Sequence, residues 1–253
     1  MAEEMVLEHA AFSGLVDRRS GEIALEGAAL SGGDRCADEI GFHIRPVTVP
    51  DTPLQLALKR TIDAAAASLG LVVLAPVLAV AAVLIRLDSK GPILVRQLQT
   101  GLNEVPFEHL SFRCEYENRE SGNRRANLQA NGPRLTRFGR ALRRSGLDRL
   151  PQLWNVLAGD MSLVGPAPHV PDMLAAGYSY DQLVQGYEYR NLMRPGLTGL
   201  AQAHTPRGPT EHRAMAIRRI IDDVEYIRNF SLLMDAKIIS RTMINAVKGS
   251  PAL

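Results

Sequence analysis

The sequence predicts an α+β fold, mostly helical, built as a single domain with an N-terminal re-entrant membrane helix–break–helix and a small β-hairpin. Three observations lead there. Ala64–Ile85 is a run of 22 residues without a charge; as helix it reaches about 33 Å, close to one hydrocarbon thickness. Two β-compatible stretches, "PILVRQ" and "FEHLSF", flank the turn-like "GLNE", which predicts a hairpin over 92–113. From Arg134 onward, basic and apolar residues recur every three to four positions, the helical period.

Residues 1–52 mix acids, Gly, Ser and Ala with few aromatics, the composition of a loosely ordered acidic tail. "EIALEG" within it is compatible with a strand but has no evident partner. The two prolines of "VTVPDTP" mark a boundary, and 53–91 forms the membrane-associated segment. Its apolar run has no polar face at any helical period, which argues against an ordinary core helix. Pro76, at its centre, cannot donate to the helix ladder. Lys59 and Arg60 precede the run, and Arg86 and Lys90 follow it. Cationic flanks prefer the cytoplasmic face. A hairpin that dips in and returns puts both flanks there, whereas equal flanks give a through-span no orientation. Lys59, Arg60, Asp63 and Pro76 are therefore the expected membrane-interface residues, with Asp63 and Asp88 placed to pair with the cations.

In the remaining body, 92–253, the polar stretch 114–133 reads as a loop. Next comes a basic amphipathic helix, with Arg134, Arg137, Arg140, Arg143 and Arg144 on one face and Leu135, Phe138 and Leu142 on another. Such a face is solvated, lies on anionic lipid, or offers guanidinium forks to phosphate. "QLWNVL" reads as a helix with Trp154 as a packing residue. Pro166, Pro168 and Pro171 stiffen "GDMSLVGPAPHVP" and exclude helix there. "YSYDQLVQGYEYRNLM" is expected to be helical and "RPGLTGLAQ" to be a turn leaving it. One or two helices follow, with a break near Asn229–Ser231.

Net charge is only +2, but residues 1–50 carry nine acids against four arginines, so the rest is basic by about seven charges. That excess suits anionic lipid or a phosphorylated substrate. Aromatics are 5% and do not interleave with the arginines, which argues against nucleic acid. Cys36 and Cys114 form no disulfide framework, the histidines have no metal-ligand spacing, and the acidic N-terminus lacks the pattern of a cleavable leader. Phosphate-loop, dinucleotide, nucleophile-elbow and zinc-protease signatures are missing.

Several ordered blocks do resemble a known family. They are "KRTID" ahead of the Pro-broken segment, "IRLDSKGPILVRQLQTGLNEVPFEHLSFR", "PRLTRFGRALRRSGLDRLPQLWNVLAGDMSLVGPAPHVP", "RPGLTGLAQ" and "DDVEYIRNFSLLMDAKI". From Leu56 to Val247 the chain resembles the bacterial sugar transferases, monotopic phosphoglycosyl transferases of the exopolysaccharide-initiating type. The resemblance implies a cytoplasmic sugar-phosphate transferase domain over 92–253, at the cytoplasmic face of a bacterial inner membrane. It implies transfer of sugar-1-phosphate from a UDP-sugar to polyprenyl phosphate, with Mg²⁺ screening the diphosphate. By position Asp148 would be the nucleophile, and Arg113, Arg143, Arg144, Arg149 and Arg194 would contact phosphate. Membrane lipid, a second copy of the chain and polysaccharide-assembly proteins are the further partners it suggests.

The chain also departs from the family pattern. An Asp-Glu dyad is usual where this chain has Asp148-Arg149, and the missing glutamate is the acid tied to Mg²⁺. Pro166-Ala167-Pro168 replaces a Pro-Arg-Pro, Ser111 replaces a lysine, and Cys114-Glu115 replaces a small residue and Met. The metal ligands are thus left unknown, with Glu188 and Asp160 as candidate replacement acids. The alternative reading is a weak or inactive family member that binds lipid or a partner as a regulatory subunit.

Overall fold

The computed structural model describes residues 42–49, 53–116, 135–171, 173–175, 177–204 and 213–247. Most of the expected acidic tail, "EIALEG" included, and most of the 114–133 loop lie outside them. Residues 42–49 depart from the expected tail. Strand β1 (Phe42–His43) pairs in parallel with β7 (Val184–Gln185), Ile44 N donates to Gln185 O at 2.8 Å, and Ile44 and Val47 are buried. The acids upstream dominate the composition of that window and conceal two core residues.

Helix α1 (Pro53–Asp88) is one helix of 36 residues, and Pro76 lies inside it without interrupting it. The expected break is absent because both halves are clamped to the body. Lys59, Asp63, Ala67, Ala81 and Ile85 are its buried positions, and they follow the helical repeat along one side. The opposite side is a stripe of exposed Leu, Ile and Val, with Val72 and Leu87 73% and 77% exposed.

Polar fasteners hold the two ends. Lys59 Nζ donates to Asp235 Oδ2 at 2.6 Å and lies 3.8 Å from Asp63 Oδ2. Ser162 Oγ donates to Asp63 at 2.6 Å, and Tyr226 OH donates to Asp235 Oδ1 at 2.8 Å. Burial raises the pKa of Asp235, while Lys59 and Tyr226 oppose that rise. Arg60 donates to the Val156 and Leu157 carbonyls at 2.5 and 2.8 Å. At the far end, Asp88 accepts from Phe138 N at 3.0 Å, and Arg113 Nη2 donates to Ser89 O at 2.6 Å. Lys59 and Asp63 thus face the protein interior rather than headgroups, because their partners sit far away in sequence.

The hairpin forms as expected: β2 (Leu94–Thr100) and β3 (Pro106–Phe112) are antiparallel, with Leu94 opposite Phe112 and Gln97 opposite His109. Helix α2 (Arg137–Ser145) begins at Thr136, whose hydroxyl accepts from Gly139 N at 2.9 Å. Gly139 is required by contact, since a Cβ there would stand 2.2 Å from the Cys114 carbonyl oxygen. Gly146, at φ 72°, ends α2 and swings the chain into a single 3-10 turn, Leu147–Arg149. Helix α3 (Gln152–Ala158) follows. Trp154 on it is 59% exposed, so it is not the packing residue its apolar neighbours suggest. Asn155 packs inward instead, accepting from Leu110 N at 3.0 Å and donating to Glu108 O at 2.7 Å. That side chain stitches α3 to β3.

Strand β4 (Ser162–Val164) pairs in parallel with β8 (Gly196–Thr198), so the middle of "RPGLTG" is a short strand rather than the expected turn. The small pair β5 (Leu174–Ala175) and β6 (Tyr178–Ser179) lies between them in sequence. The helix expected over "YSYDQLVQGYEYRNLM" is broken into α4 (Tyr180–Leu183), β7 and a 3-10 stretch, Tyr187–Leu192. Gly186 at φ 90° and the pairing of β7 with β1 divide it. Helices α5 (Leu200–His204), α6 (Arg213–Arg228) and α7 (Leu232–Val247) complete the fold, with the expected break between α6 and α7. The core gathers Ile220, Val224 and Ile227 of α6 with Tyr180, Val184, Met193 and Phe230.

Removing one partner of a buried ion pair strands the other charge. Lys59→Met is expected to destabilise the protein by about 3 kcal/mol, read as a lower urea midpoint in detergent. Adding Asp235→Leu should recover part of that loss.

Candidate active site

A cavity of about 1080 Å³ opens beside one face of the hairpin. Residues directly opposite in an antiparallel ladder share a face, and Val95, Gln97 and Gln99 of β2 and His109 and Ser111 of β3 all reach the cavity wall. The 3-10 turn contributes Asp148 and Arg149, α3 contributes Gln152, and the Pro-rich segment contributes Ala167 to Pro171. Arg219 and Asp223 of α6 close another side.

The structure brings together four of the six residues expected at the chemistry. Asp148 and Arg149 are adjacent, half-buried wall residues. Burial pushes the Arg149 guanidinium pKa down and the negative charge of Asp148 opposes this. Arg113 is buried; Nη2 is committed to Ser89, while Nε and Nη1 have no protein partner. Arg143 is exposed at the rim, with Nη1 3.6 Å from Glu115 Oε1. Arg144 and Arg194 are exposed and do not line the cavity; Arg194 Nε donates to Gly159 O at 2.8 Å. Helical phase turns Arg144 away, about 100° from its neighbour Arg143.

Cys114 also lines the wall; burial pushes its thiol up to about 11, with the Asp148 charge adding to the shift. His109 is held near 4, chiefly by burial, with Arg149 adding to the depression and a hydrogen bond with Gln152 opposing it. The imidazole is therefore neutral at physiological pH.

Glu188 and Asp160 are exposed and outside the wall. The acids that do reach it besides Asp148 are Glu115 and Asp223. Asp223 Oδ2 accepts from Arg190 at 2.8 Å, and both side chains are almost fully buried. Burial pushes Asp223 up to about 6 against the pull of Arg190. Arg190 also donates to the Ala167 carbonyl and to Tyr187 OH, which fixes the Pro166–Pro168 segment in place. Sequence reasoning missed Asp223, Arg190, His109 and Asn155. Asp223 left one trace: it interrupts the apolar face formed by Ile220, Val224 and Ile227.

A resident Mg²⁺ asks for oxygen ligands, usually one or two carboxylates beside the phosphates. Among the described residues no three His, Cys, Asp or Glu side chains come together. Glu115 and Asp223 each face an arginine, and the neighbour of Asp148 is itself a cation. Among the described residues these carboxylates build no multidentate Mg²⁺ cage, and a bound ion would have to take most of its ligands from phosphate and water.

A turn-borne carboxylate, Asp148, thus lines one cavity with the guanidinium groups of Arg113, Arg143 and Arg149. The bacterial sugar transferase model matches residues 54–249, and the chain belongs to that family. It is 44% identical over 192 residues to the "Exopolysaccharide production protein PSS" of Rhizobium leguminosarum bv. phaseoli, covering 76% of this chain and 96% of that one. It is 45% identical over 185 residues to the "UDP-glucose:undecaprenyl-phosphate glucose-1-phosphate transferase" of Caulobacter vibrioides, covering 73% and 68%. It is 40% identical over 202 residues to the protein of the same name in Escherichia coli K12, covering 78% of this chain but 42% of that relative. These names lend no support to the regulatory alternative.

The His109 environment has a pH consequence. An unfolded imidazole titrates near 6.5 and the folded one near 4, so only the unfolded state gains a proton between those values. Stability is full above pH 6.5 and falls as pH drops toward 4. His109→Gln should recover about 2 kcal/mol of the acid-side loss, measured as the difference in unfolding free energy between pH 7.5 and pH 4.5.

Proposed function

We propose that the chain transfers sugar-1-phosphate from a UDP-sugar to polyprenyl phosphate at a membrane surface, the step that begins exopolysaccharide or another glycoconjugate. The observation that carries this reading is Asp148, set in a cavity wall with Arg149 beside it, with Arg113 and Arg143 lining the same cavity and Arg219 closing another side of it. A carboxylate oxygen of Asp148 attacks the phosphorus nearest the sugar. The bond to the bridging oxygen breaks, and UMP leaves with the electron pair. A phosphate oxygen of the lipid then attacks the same phosphorus and returns the carboxylate. Both steps bring anion against anion, so fixed cations must offset the repulsion and take up charge on the leaving oxygen.

The residues favour guanidinium groups rather than a metal in that role. Two departures from the family pattern, Arg149 and Ala167, face the same cavity. Together they lose one arginine from the Pro-rich segment and gain one on the 3-10 turn, so the number of guanidiniums is kept while an acid is removed. Arginine also pairs with phosphate oxygens two at a time.

The membrane reading rests on α1. Its exposed stripe is too apolar for water, and both ends are fastened to the same body, through Lys59–Asp235 and Arg113–Ser89. Ends tied to one body cannot face opposite aqueous compartments. This supports a monotopic segment with both ends on one side, and the cationic flanks favour the cytoplasmic face. The exposed Trp154 suits the interfacial zone.

Full-length protein in nanodiscs, given UDP-glucose and polyprenyl phosphate, should release UMP. Asp148→Asn should abolish release and prevent capture of a phosphosugar adduct; persistent turnover in that variant would end the mechanism. EDTA should lower the wild-type rate by less than about threefold, whereas the double variant Arg149→Glu, Ala167→Arg should lose more than about tenfold in EDTA and recover with Mg²⁺. Tags at residues 1 and 253 should both report the cytoplasm; opposite reports would mean a through-span.

A further inference from the structure

Next to the cationic part of the cavity lies a patch of a different character. Gln99 and His109, on neighbouring strands of the hairpin, are 7% and 8% exposed and line the cavity. Gln99 Oε1 and His109 Nδ1 are buried and have no hydrogen-bond partner in the protein. Orphaned buried polar atoms are rare, because each forgoes its hydration without compensation. Two of them on one wall face call for a ligand that supplies hydrogen bonds.

The charge of that ligand follows from the surroundings. Gln97 stands opposite His109 in the ladder and is exposed at the cavity mouth, and Gln152 bonds His109 from α3. Ser111 continues the same face toward Arg113. Amides, a hydroxyl and a neutral imidazole accept and donate hydrogen bonds but neutralise nothing. The Arg149 charge is close enough to depress His109, and Asp148, Arg149 and His109 line one cavity, so a phosphoryl group held at Asp148 and Arg149 would place its sugar within reach of this patch.

We infer that Gln99, His109 and Gln152 form the seat for the sugar ring, and that it selects a neutral, hydroxylated hexose over one carrying a carboxylate. This inference rests on the nucleotide-sugar reading above and names its sugar-recognising residues. Gln99 and His109 are specificity residues here. They take no part in bond making, and a site built to pair with hydroxyls penalises a substrate that leaves its buried groups unpaired.

The test measures binding rather than turnover. Affinities for UDP-glucose, UDP-glucuronic acid and UDP are determined by calorimetry on full-length protein in nanodiscs, for wild type, Gln99→Leu, His109→Phe and the conservative His109→Gln. Melting temperatures check folding. Wild type should bind UDP-glucose at least about tenfold more tightly than UDP-glucuronic acid. In Gln99→Leu and His109→Phe, UDP-glucose should weaken by about tenfold relative to UDP, the worth of a buried hydrogen bond, while UDP itself stays within about twofold; His109→Gln should keep most of the preference. Equal weakening of UDP and UDP-glucose would mean that the patch seats the base, and would overturn the inference. So would unchanged affinity for all three ligands, or no binding of UDP-glucose by wild type. If the expected pattern appears but no UMP is released with polyprenyl phosphate, the seat stands and the transfer reading falls. Release of UMP with no change in preference in the variants overturns the seat and leaves the transfer reading standing.

Discussion

The ammonium of Lys59, held between Asp235 and Asp63, governs where everything else lies. A helix with an apolar outer stripe gains little from apolar contact alone when lipid is the competing environment. Its position on the body must come from directional contacts. Lys59 and Arg60 supply them at one end; Asp88 and Ser89, through Phe138 N and Arg113, supply them at the other. Because Arg113 directly follows β3, seating the end of α1 also seats the cavity-facing side of the hairpin. Anchor and cavity are thus one mechanical unit.

The cavity divides by charge. Arg113, Arg143 and Arg149 line the cavity together with the turn-borne carboxylate, Arg219 closes another side, and Gln97, Gln99, His109 and Gln152 line it as neutral groups. Arg190 stands behind the wall, paired with the wall residue Asp223, and holds the Pro166–Pro168 segment by its Ala167 carbonyl. The same pair commits one Asp223 oxygen to Arg190.

Local patterns were legible and distant pairings were not. The hairpin could be read because alternation on both sides of "GLNE" is a property of 22 consecutive residues. The division between α6 and α7 was marked by Asn229–Ser231, and the Arg149 and Ala167 departures stood out once the surrounding blocks were recognised. Arg144 and Arg194 looked as good as Arg143 on charge alone, and only helical phase and the path of the chain removed them from the wall. Trp154 faces outward and its neighbour Asn155 inward, because a seven-residue helix turns quickly from surface to interior. The helix read over 179–193 failed because β7 found a partner in β1, 142 residues earlier in the register Phe42 to Val184.

The sequence by itself determined the family, the apolar anchor, the basic character of the body and the position of Asp148, since each is written in contiguous residues or in the order of blocks. Tertiary structure decided which arginines surround that carboxylate, that α1 stays helical through Pro76, and that His109 and Gln99 share a face. Those outcomes depend on side chains meeting across tens to hundreds of residues, where burial and hydrogen bonding, rather than local propensity, set the geometry.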